Sequence, residues 1–203
     1  MHYDQLSSFQ LDALREIGNI GAGNAATALS GFLTGGVNMS VPDLQIIDIS
    51  KISNILGGPE NEVVGILVKM SQDVQGMLLF LLDKDFTHLL INALLNERIQ
   101  GFEDITEMGI SALTEIGNIL SGSYVNAIST MTDLTIWLDP PQVAVDMVGA
   151  ILSYPAAIFG QMGDKLLFIE EDFFCGDTTV KSHLLIMPDM KSLETIMKNL
   201  GVD

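Results

Sequence analysis

The chain has 203 residues, enough to bury a core without disulfides or metal ions. Apolar residues make up 48% of it and charged residues 17%, which excludes a disordered chain and favours a globular fold. Acidic residues outnumber basic ones by 26 to 9, and the net charge of −17 repels phosphate backbones and anionic lipids. This charge argues against a nucleic-acid ligand and favours a protein partner that presents positive charge.

The cysteine content and the first residues bear on the cellular compartment. The single cysteine, Cys175, cannot form an internal disulfide, and residues 1–10 lack the basic and apolar regions of a secretion signal. Residues 17–42 are uncharged, but their six glycines and three asparagines are too polar for a membrane span. We therefore expect a cytoplasmic protein without a membrane span.

The sequence contains an internal repeat. Residues 12–42 align with residues 111–141 at a shift of 99, with eleven identities in 31 positions. A weaker match, at a shift of 106, relates the segments that begin at Val74 and Val180. We interpret the chain as a tandem duplication, 1–100 and 101–203, that forms one domain. Because pseudo-symmetry within one chain can replace a dimer, we expect a monomer when the protein is alone.

Hydrophobic periodicity predicts a similar order of elements in each repeat: a long helix, a β-rich region and a closing helix. In the first repeat these are a helix from Leu11, strands at 61–70 and 74–83, and a helix at 85–96. In the second they are a helix from Ile110, a helix over 143–160 interrupted at Pro155, strands at 165–174 and 180–189, and a helix at 193–200. The predicted fold is α+β, a pseudo-twofold symmetric domain with a β-sheet core and long helices outside it.

A polar stripe runs along one face of each long helix. At 100° per residue its members fall within an arc of about 60°. They are Asp12, Glu16, Asn19 and Gly23 in the first copy and Ser111, Glu115, Asn118 and Gly122 in the second. The opposite face is apolar, and we expect it to lie in the core as far as Phe32 and Met131. A solvated surface gains little from one particular Glu and Asn, so their presence in both copies indicates a function.

Two alternatives concern this motif. Glu16 and Asn19 could be ordinary helix-start residues, although Asn is unfavourable inside a helix and the pair lies a turn or more from the predicted start. The neighbouring glycines could cradle a phosphate, but they follow no strand, and Leu120 replaces Gly21 in the second copy. Small residues here favour close helix packing, and Gly23 leaves room for a partner to dock over the stripe.

Other chemistries find little support. The three histidines, His2, His88 and His183, are far apart in sequence, and no metal-binding pair is present. Cys175 lacks the signature of a nucleophile, and Ser111 is matched by Asp12 in the first copy, which disfavours covalent catalysis. A carboxamide can orient a water molecule, which suits hydrolysis of an activated bond such as a phosphoryl group. The nearby carboxylate could then hold a cation on a protein substrate.

Both copies follow one spacing pattern, [DS]-x3-E-x2-N-x22-P, which ends at Pro42 in the first copy and at Pro141 in the second. Over essentially the whole chain the sequence resembles the CheC, CheX and FliY family of chemotaxis phosphatases. The resemblance implies hydrolysis of the aspartyl phosphate on the response regulator CheY. It implies that Asn19 and Asn118 orient the water, and that Glu16 and Glu115 pair with the regulator's lysine. Magnesium would belong to the regulator, and this chain would bind no cofactor.

The resemblance also implies a second partner, the receptor deamidase CheD. The candidate contact follows Pro141 and comprises Asp146, Met147, Gly149 and Ala150. The competing interpretation is a non-enzymatic adaptor that binds the phosphorylated regulator or the deamidase without turnover. A flagellar switch component is a third interpretation, but it would need a further domain.

Overall fold

The computed structural model describes residues 3–33, 36–159 and 165–202, and both repeats have the same element order, αββαββα. The first repeat comprises α1 (Ser8–Leu29), β1 (Asn38–Met39), β2 (Asp43–Asp48), α2 (Ile49–Ile55), β3 (Glu62–Gln72), β4 (Gly76–Leu82) and α3 (Lys84–Leu95). The second comprises α4 (Glu107–Thr132), β5 (Ile136–Leu138), β6 (Gln142–Met147), α5 (Val148–Phe159), β7 (Lys165–Cys175), β8 (Thr178–Pro188) and α6 (Met190–Asn199). A short 3-10 helix precedes each long helix.

The described strands form one antiparallel sheet whose long strands follow the order β7-β8-β4-β3. Strands β1 and β2 pair with β7 at one edge, and β5 and β6 pair with β3 at the other. Asp43 of the first repeat thus lies opposite Glu170 of the second, while Met147 of the second lies opposite Glu62 of the first. Each repeat therefore covers the outer long strand of the other, and the short strands β1, β2, β5 and β6 form the two edges of the described sheet.

Helices cover both faces of the sheet. Alternate residues of β4 point to opposite faces, as the pleat of a strand requires. Phe80 packs in the core beneath α1 and α4, while Leu79 and Leu81 pack beneath α2 and α5 on the other face. These layers, with the duplicated element order, confirm the predicted α+β class, its sheet core and its outer helices.

The two long helices pack antiparallel. An added Cβ at Gly21 of α1 would lie 2.5 Å from a ring carbon of Tyr124 on α4, so the helices cross closely there. Tyr124 is fully buried, and its ring centroid lies 6.1 Å from that of Phe80 in the sheet. Past the end of α1, Phe32 lines a groove together with Met108 from the start of α4. The end of one helix therefore lies beside the start of the other.

The prediction of a helix over 143–160 with a break at Pro155 is wrong in two ways. Gln142–Met147 forms strand β6, because its half-buried valines alternate with exposed residues and it pairs with β3. Helix α5 starts at Val148 and continues through Pro155, whose buried ring offsets the hydrogen bond that proline cannot donate. Gly160 lies outside the described residues.

The apolar face of α1 ends earlier than predicted. Phe32 is 43% exposed rather than part of the core, because α1 ends at Leu29 and Phe32 lies in the turn that follows. In α4, which is longer, Met131 still packs against the core. The remaining predicted strands and helices are found within a few residues of their predicted ends.

One carboxyl group is buried beneath the helices. Glu171 of β7 is 1% exposed, and it lies opposite Ser182 of β8. Within the described part of the chain, neither Glu171 Oε1 nor the Ser182 hydroxyl has a hydrogen-bond partner. Burial raises the pKa of Glu171 to about 8, because the surrounding core disfavours the charged carboxylate.

The helix crossing predicts the effect of adding one methyl group. Gly21→Ala should lower the free energy of unfolding by about 1–3 kcal/mol, because the buried Tyr124 ring has no room to move away. Urea unfolding followed by circular dichroism measures the change. Gly23→Ala is the matched control, since no atom lies within 4 Å of its added Cβ and helix propensity favours alanine. Equal stability of the two variants would contradict this packing.

The buried carboxyl predicts that Glu171→Gln raises the free energy of unfolding by an amount that depends on pH. The pKa in the fold lies above the ordinary value of 4.5, so the wild type loses stability as pH rises from about 4.5 to 8. The glutamine variant should match the wild type near pH 4.5 and exceed it by a few kcal/mol, as an order of magnitude, above pH 8. Urea unfolding across this range tests it. Glu60→Gln, at an exposed position, controls for the loss of one negative charge.

Candidate functional site

Both long helices begin with the same kind of N-cap. The Ser7 hydroxyl accepts a hydrogen bond from the Gln10 amide, and the Thr106 hydroxyl accepts one from the Gly109 amide. Ser7 and Thr106 are themselves 99 residues apart, so α1 and α4 begin in the same register. Counted from Ser8 and Glu107, each motif glutamate is the ninth helical residue and each asparagine the twelfth. Both motifs thus lie well inside their helices, which excludes the interpretation as helix-start residues.

The structure brings the predicted stripe residues together on the solvent side of each helix. The side chains of Asp12, Glu16 and Asn19 are exposed in the first copy. The same is true of Ser111, Glu115 and Asn118 in the second. An added Cβ at Gly23 or Gly122 would meet no atom within 4 Å. Each stripe therefore presents a carboxylate and an amide on an open surface that a protein partner can reach.

The two stripes differ in their local hydrogen bonds. Asn118 Nδ2 donates to Glu115 Oε2 at 3.4 Å, a long contact that joins the motif pair of the second copy. In the first copy Arg15 pairs with Asp12 at 2.7 Å between nitrogen and oxygen. Thr114 replaces Arg15 in the second copy, and its hydroxyl donates to a backbone carbonyl within α4. The first site therefore carries a cation close to the motif, and the second carries a hydroxyl.

The motif prolines lie beneath the helices rather than on the exposed stripe. Pro141 is buried, and its Cβ would lie 3.0 Å from a Cβ added at Gly117, the residue before Asn118. Pro42 is half-buried and leads into β2, where Leu44 packs against Gly18, the residue before Asn19. In both copies a glycine beside the asparagine lets the helix sit close to this strand segment. Pro141 thus lies beneath the residue next to Asn118, and neither proline is part of the exposed stripe.

The two sites are far apart. Gly21 faces Tyr124 in the antiparallel pair, so Glu115, nine residues before Tyr124, lies level with Ser30. Ser30 is 14 positions from Glu16, or about 20 Å along the axis at a rise of 1.5 Å per residue. A single small group therefore cannot contact both motifs at once.

The candidate deamidase contact lies at the corner between β6 and α5, where Asp146 and Ala150 face away from α1 and α4 and Met147 lies beside Phe102. Asp146 and Met147 end β6, while Gly149 and Ala150 start α5, and all four residues are exposed. The Gly149 amide donates to the Pro59 carbonyl at 2.9 Å, which holds this corner against the α2–β3 loop. Asp146 and Ala150 also line a groove of about 320 Å³. The structure therefore places this segment away from both stripes.

Each stripe extends one turn further than sequence reasoning indicated. Phe9 precedes Asp12 by three residues and is 67% exposed, and Met108 precedes Ser111 by three residues and is 62% exposed. They were missed because a large apolar residue in a helix is ordinarily taken as core. The shift of 99 residues that relates Phe9 to Met108 is the signal that could have identified them.

Two further properties of the described residues bear on ligands. No three His, Cys, Asp or Glu side chains among them are grouped so that they could hold a metal ion. In the same part of the chain, no helix is both long enough and apolar enough to span a membrane.

Comparison with known proteins gives consistent matches. A family model described as the CheC-like family matches residues 9–46 and 108–145, the two long helices and the strands that follow. The chain is 31% identical over 203 residues to the CheY-P phosphatase CheC of Bacillus subtilis (strain 168), covering 98% of this chain and 97% of that protein.

Solved structures share the fold. The crystal structure of Thermotoga maritima FliY matches with a TM-score of 0.76 and 22% identity, covering 97% of this chain and 98% of that one. A chain in the CheX–CheY–BeF3–Mg²⁺ complex from Borrelia burgdorferi matches with a TM-score of 0.55 and 19% identity, covering 82% of this chain and 94% of that one.

Proposed function

The chain belongs to the CheC-like family, and we propose that it hydrolyses the aspartyl phosphate of a CheY-type response regulator. The observation that carries the proposal is the pair of exposed E-x-x-N motifs, which occupy the same helical positions in both repeats. The whole-length similarity to a CheY-P phosphatase supports this choice of reaction and substrate. The protein is then a protein aspartyl-phosphate phosphatase with two sites.

In this reaction each asparagine positions the water molecule. The Asn19 or Asn118 amide can donate one hydrogen bond to the water or phosphoryl oxygens and accept one from the water. The water oxygen attacks phosphorus in line with the breaking bond to the aspartate, and the products are a free carboxylate and inorganic phosphate. An amide cannot take up the proton, so the proton passes to the phosphate or to solvent. Positioning suffices because the transition state of phosphoryl transfer is loose.

Each glutamate acts as the docking charge. Glu16 and Glu115 are exposed three residues before their asparagines, on the same helix face. A lysine beside the regulator's phosphoaspartate would pair with this carboxylate and bring the phosphoryl group under the amide. Magnesium, held by the regulator, would neutralise charge on the phosphoryl oxygens.

The asparagines give the direct test. The double variant Asn19→Ala with Asn118→Ala should abolish hydrolysis, because neither site can then orient water, and should keep the wild-type melting temperature because both side chains are exposed. The measurement is the decay of a phosphorylated CheY-type regulator with substoichiometric protein. Asn54→Ala, an exposed asparagine on α2 across the sheet, is the matched control. Unchanged turnover in the double variant would overturn the proposed roles.

The same assay separates an enzyme from an adaptor. Glu16→Lys with Glu115→Lys should weaken regulator binding in either case, since it places a cation against the regulator's lysine. Only an enzyme predicts that the wild type accelerates the decay and that the double asparagine variant still binds the regulator but no longer does so. An adaptor predicts that even the wild type leaves the decay rate unchanged.

We also propose that the corner at Asp146, Met147, Gly149 and Ala150 binds a CheD-type deamidase. Exposure of all four residues supports the proposal, as does the apolar groove beside them. The groove beside Asp146 and Ala150 lies on the sheet face opposite α1 and α4.

This contact predicts a selective loss of binding. Asp146→Lys with Ala150→Arg should weaken binding of the deamidase by roughly tenfold or more, because it puts two long cations into a packed interface. Phosphatase activity of the chain alone should be unchanged. Calorimetric titration measures the affinity, and Asp177→Lys with Thr178→Arg, at exposed positions in and beside the β7–β8 turn, controls for the gain of three positive charges. Equal affinity of both variants would contradict this contact.

A further inference from the structure

Phe9 and Met108 are large apolar residues with no structural role in the fold. They are 67% and 62% exposed, and neither belongs to the hydrophobic core of the described residues. Both occupy the second position of a long helix, after the caps at Ser7 and Thr106. Scattered apolar residues on a surface are common, but here the same exposure recurs at the same place in both repeats. A contact outside the chain, made at the same place in both repeats, would explain this shared exposure.

Their position ties them to the stripes. Phe9 precedes Asp12, Glu16 and Asn19 by three, seven and ten residues, and these four positions fall within an arc of about 80° on the helix. Met108 stands in the same relation to Ser111, Glu115 and Asn118. A partner that covers the motif therefore lies against the apolar side chain about two turns before the glutamate.

At the second site Met108 and the motif share one continuous surface. Met108 and Glu115 line one groove of about 290 Å³, with Ser111 between them on the helix. The other wall is apolar and comes from the end of α3 and from beyond α1, through Leu94, Leu95 and Phe32. An apolar side chain of a bound protein could enter this groove while a cation next to it reaches Glu115.

We propose that Phe9 and Met108 are the apolar anchors on which the phosphorylated regulator docks, one at each site. This inference rests on the proposed phosphatase function and adds the residues that hold the substrate in place. The occupant is the regulator because the anchor, the glutamate and the asparagine share one exposed helix face. Apolar anchors beside a charge pair are the usual composition of a binding hot spot, where the apolar contact supplies affinity and the charges set orientation. Phe9 and Met108 are thus positioning residues and do not touch the reacting atoms.

The test isolates one site at a time. Phe9→Ser is made in the Asn118→Ala background and Met108→Ser in the Asn19→Ala background. Each should raise the KM for the acetyl-phosphate-treated regulator about tenfold and leave kcat unchanged, because the anchor contributes to binding alone. Ile55→Ser, which removes an exposed apolar side chain from α2 on the other sheet face, is the control and should change neither constant. An unchanged KM in both anchor variants, or a fall in kcat at constant KM, would overturn the proposal.

A binding measurement tests the anchors even when turnover is too slow for a KM to be determined. In the Asn19→Ala, Asn118→Ala background, Phe9→Ser with Met108→Ser should weaken the Kd for regulator treated with beryllium fluoride about tenfold. An unchanged Kd would overturn the anchors. If the wild type does not accelerate phosphate loss, the proposed phosphatase fails by that result, whereas normal turnover with unaffected KM and Kd rejects the anchors alone.

Discussion

The contact of Gly21 with Tyr124 is the constraint on which the arrangement of the sites depends. It lets α1 and α4 approach closely, and it places the Tyr124 ring between α1 and the sheet. With the apolar face of each helix held on the sheet, the polar stripe can only face solvent. The antiparallel crossing also sets the distance between the two motifs. The geometry of the proposed sites thus follows from the packing of two buried helix faces.

Strand exchange between the repeats holds this helix pair on a common base. Strand β2 lies against β7 and β6 lies against β3, so each repeat supplies the neighbour of the other's long strand. These pairings join residues 75 or more positions apart, such as Glu62 with Met147. Such non-local pairings cost loop-closure entropy before they contribute stability, and they make folding slower than for a helical bundle of this size.

Much of this architecture can be predicted from sequence, because periodicity and repetition are properties of the chain alone. Strands β3, β4, β7 and β8 are long apolar runs, and α1 and α4 carry a clear helical period, so these elements were found. Residues 142–147 were not, because small apolar residues fit either a strand or a helix, and only pairing with β3 decides between them. The exposure of Phe32 depends on where α1 ends, which the apolar pattern does not show. The sequence predicts the stripes as far as Asp12 and Ser111, whereas the exposure of Phe9 and Met108 is seen only in the structure.

The two helices that cross have side chains of different size at the contact, and this affects how the two halves of the chain can diverge. The shift of 99 residues relates Gly21 to Leu120 and Tyr124 to Ala25, so α1 has the small residue at both positions and α4 has the large one. A symmetric dimer of identical chains would have to use the same residue on both sides of its axis. Joining the halves in one polypeptide removes that requirement. A difference such as Arg15 in the first copy and Thr114 in the second then affects one site only. Gene fusion therefore gives each half its own evolutionary freedom, so that one site can specialise while the other keeps its original role.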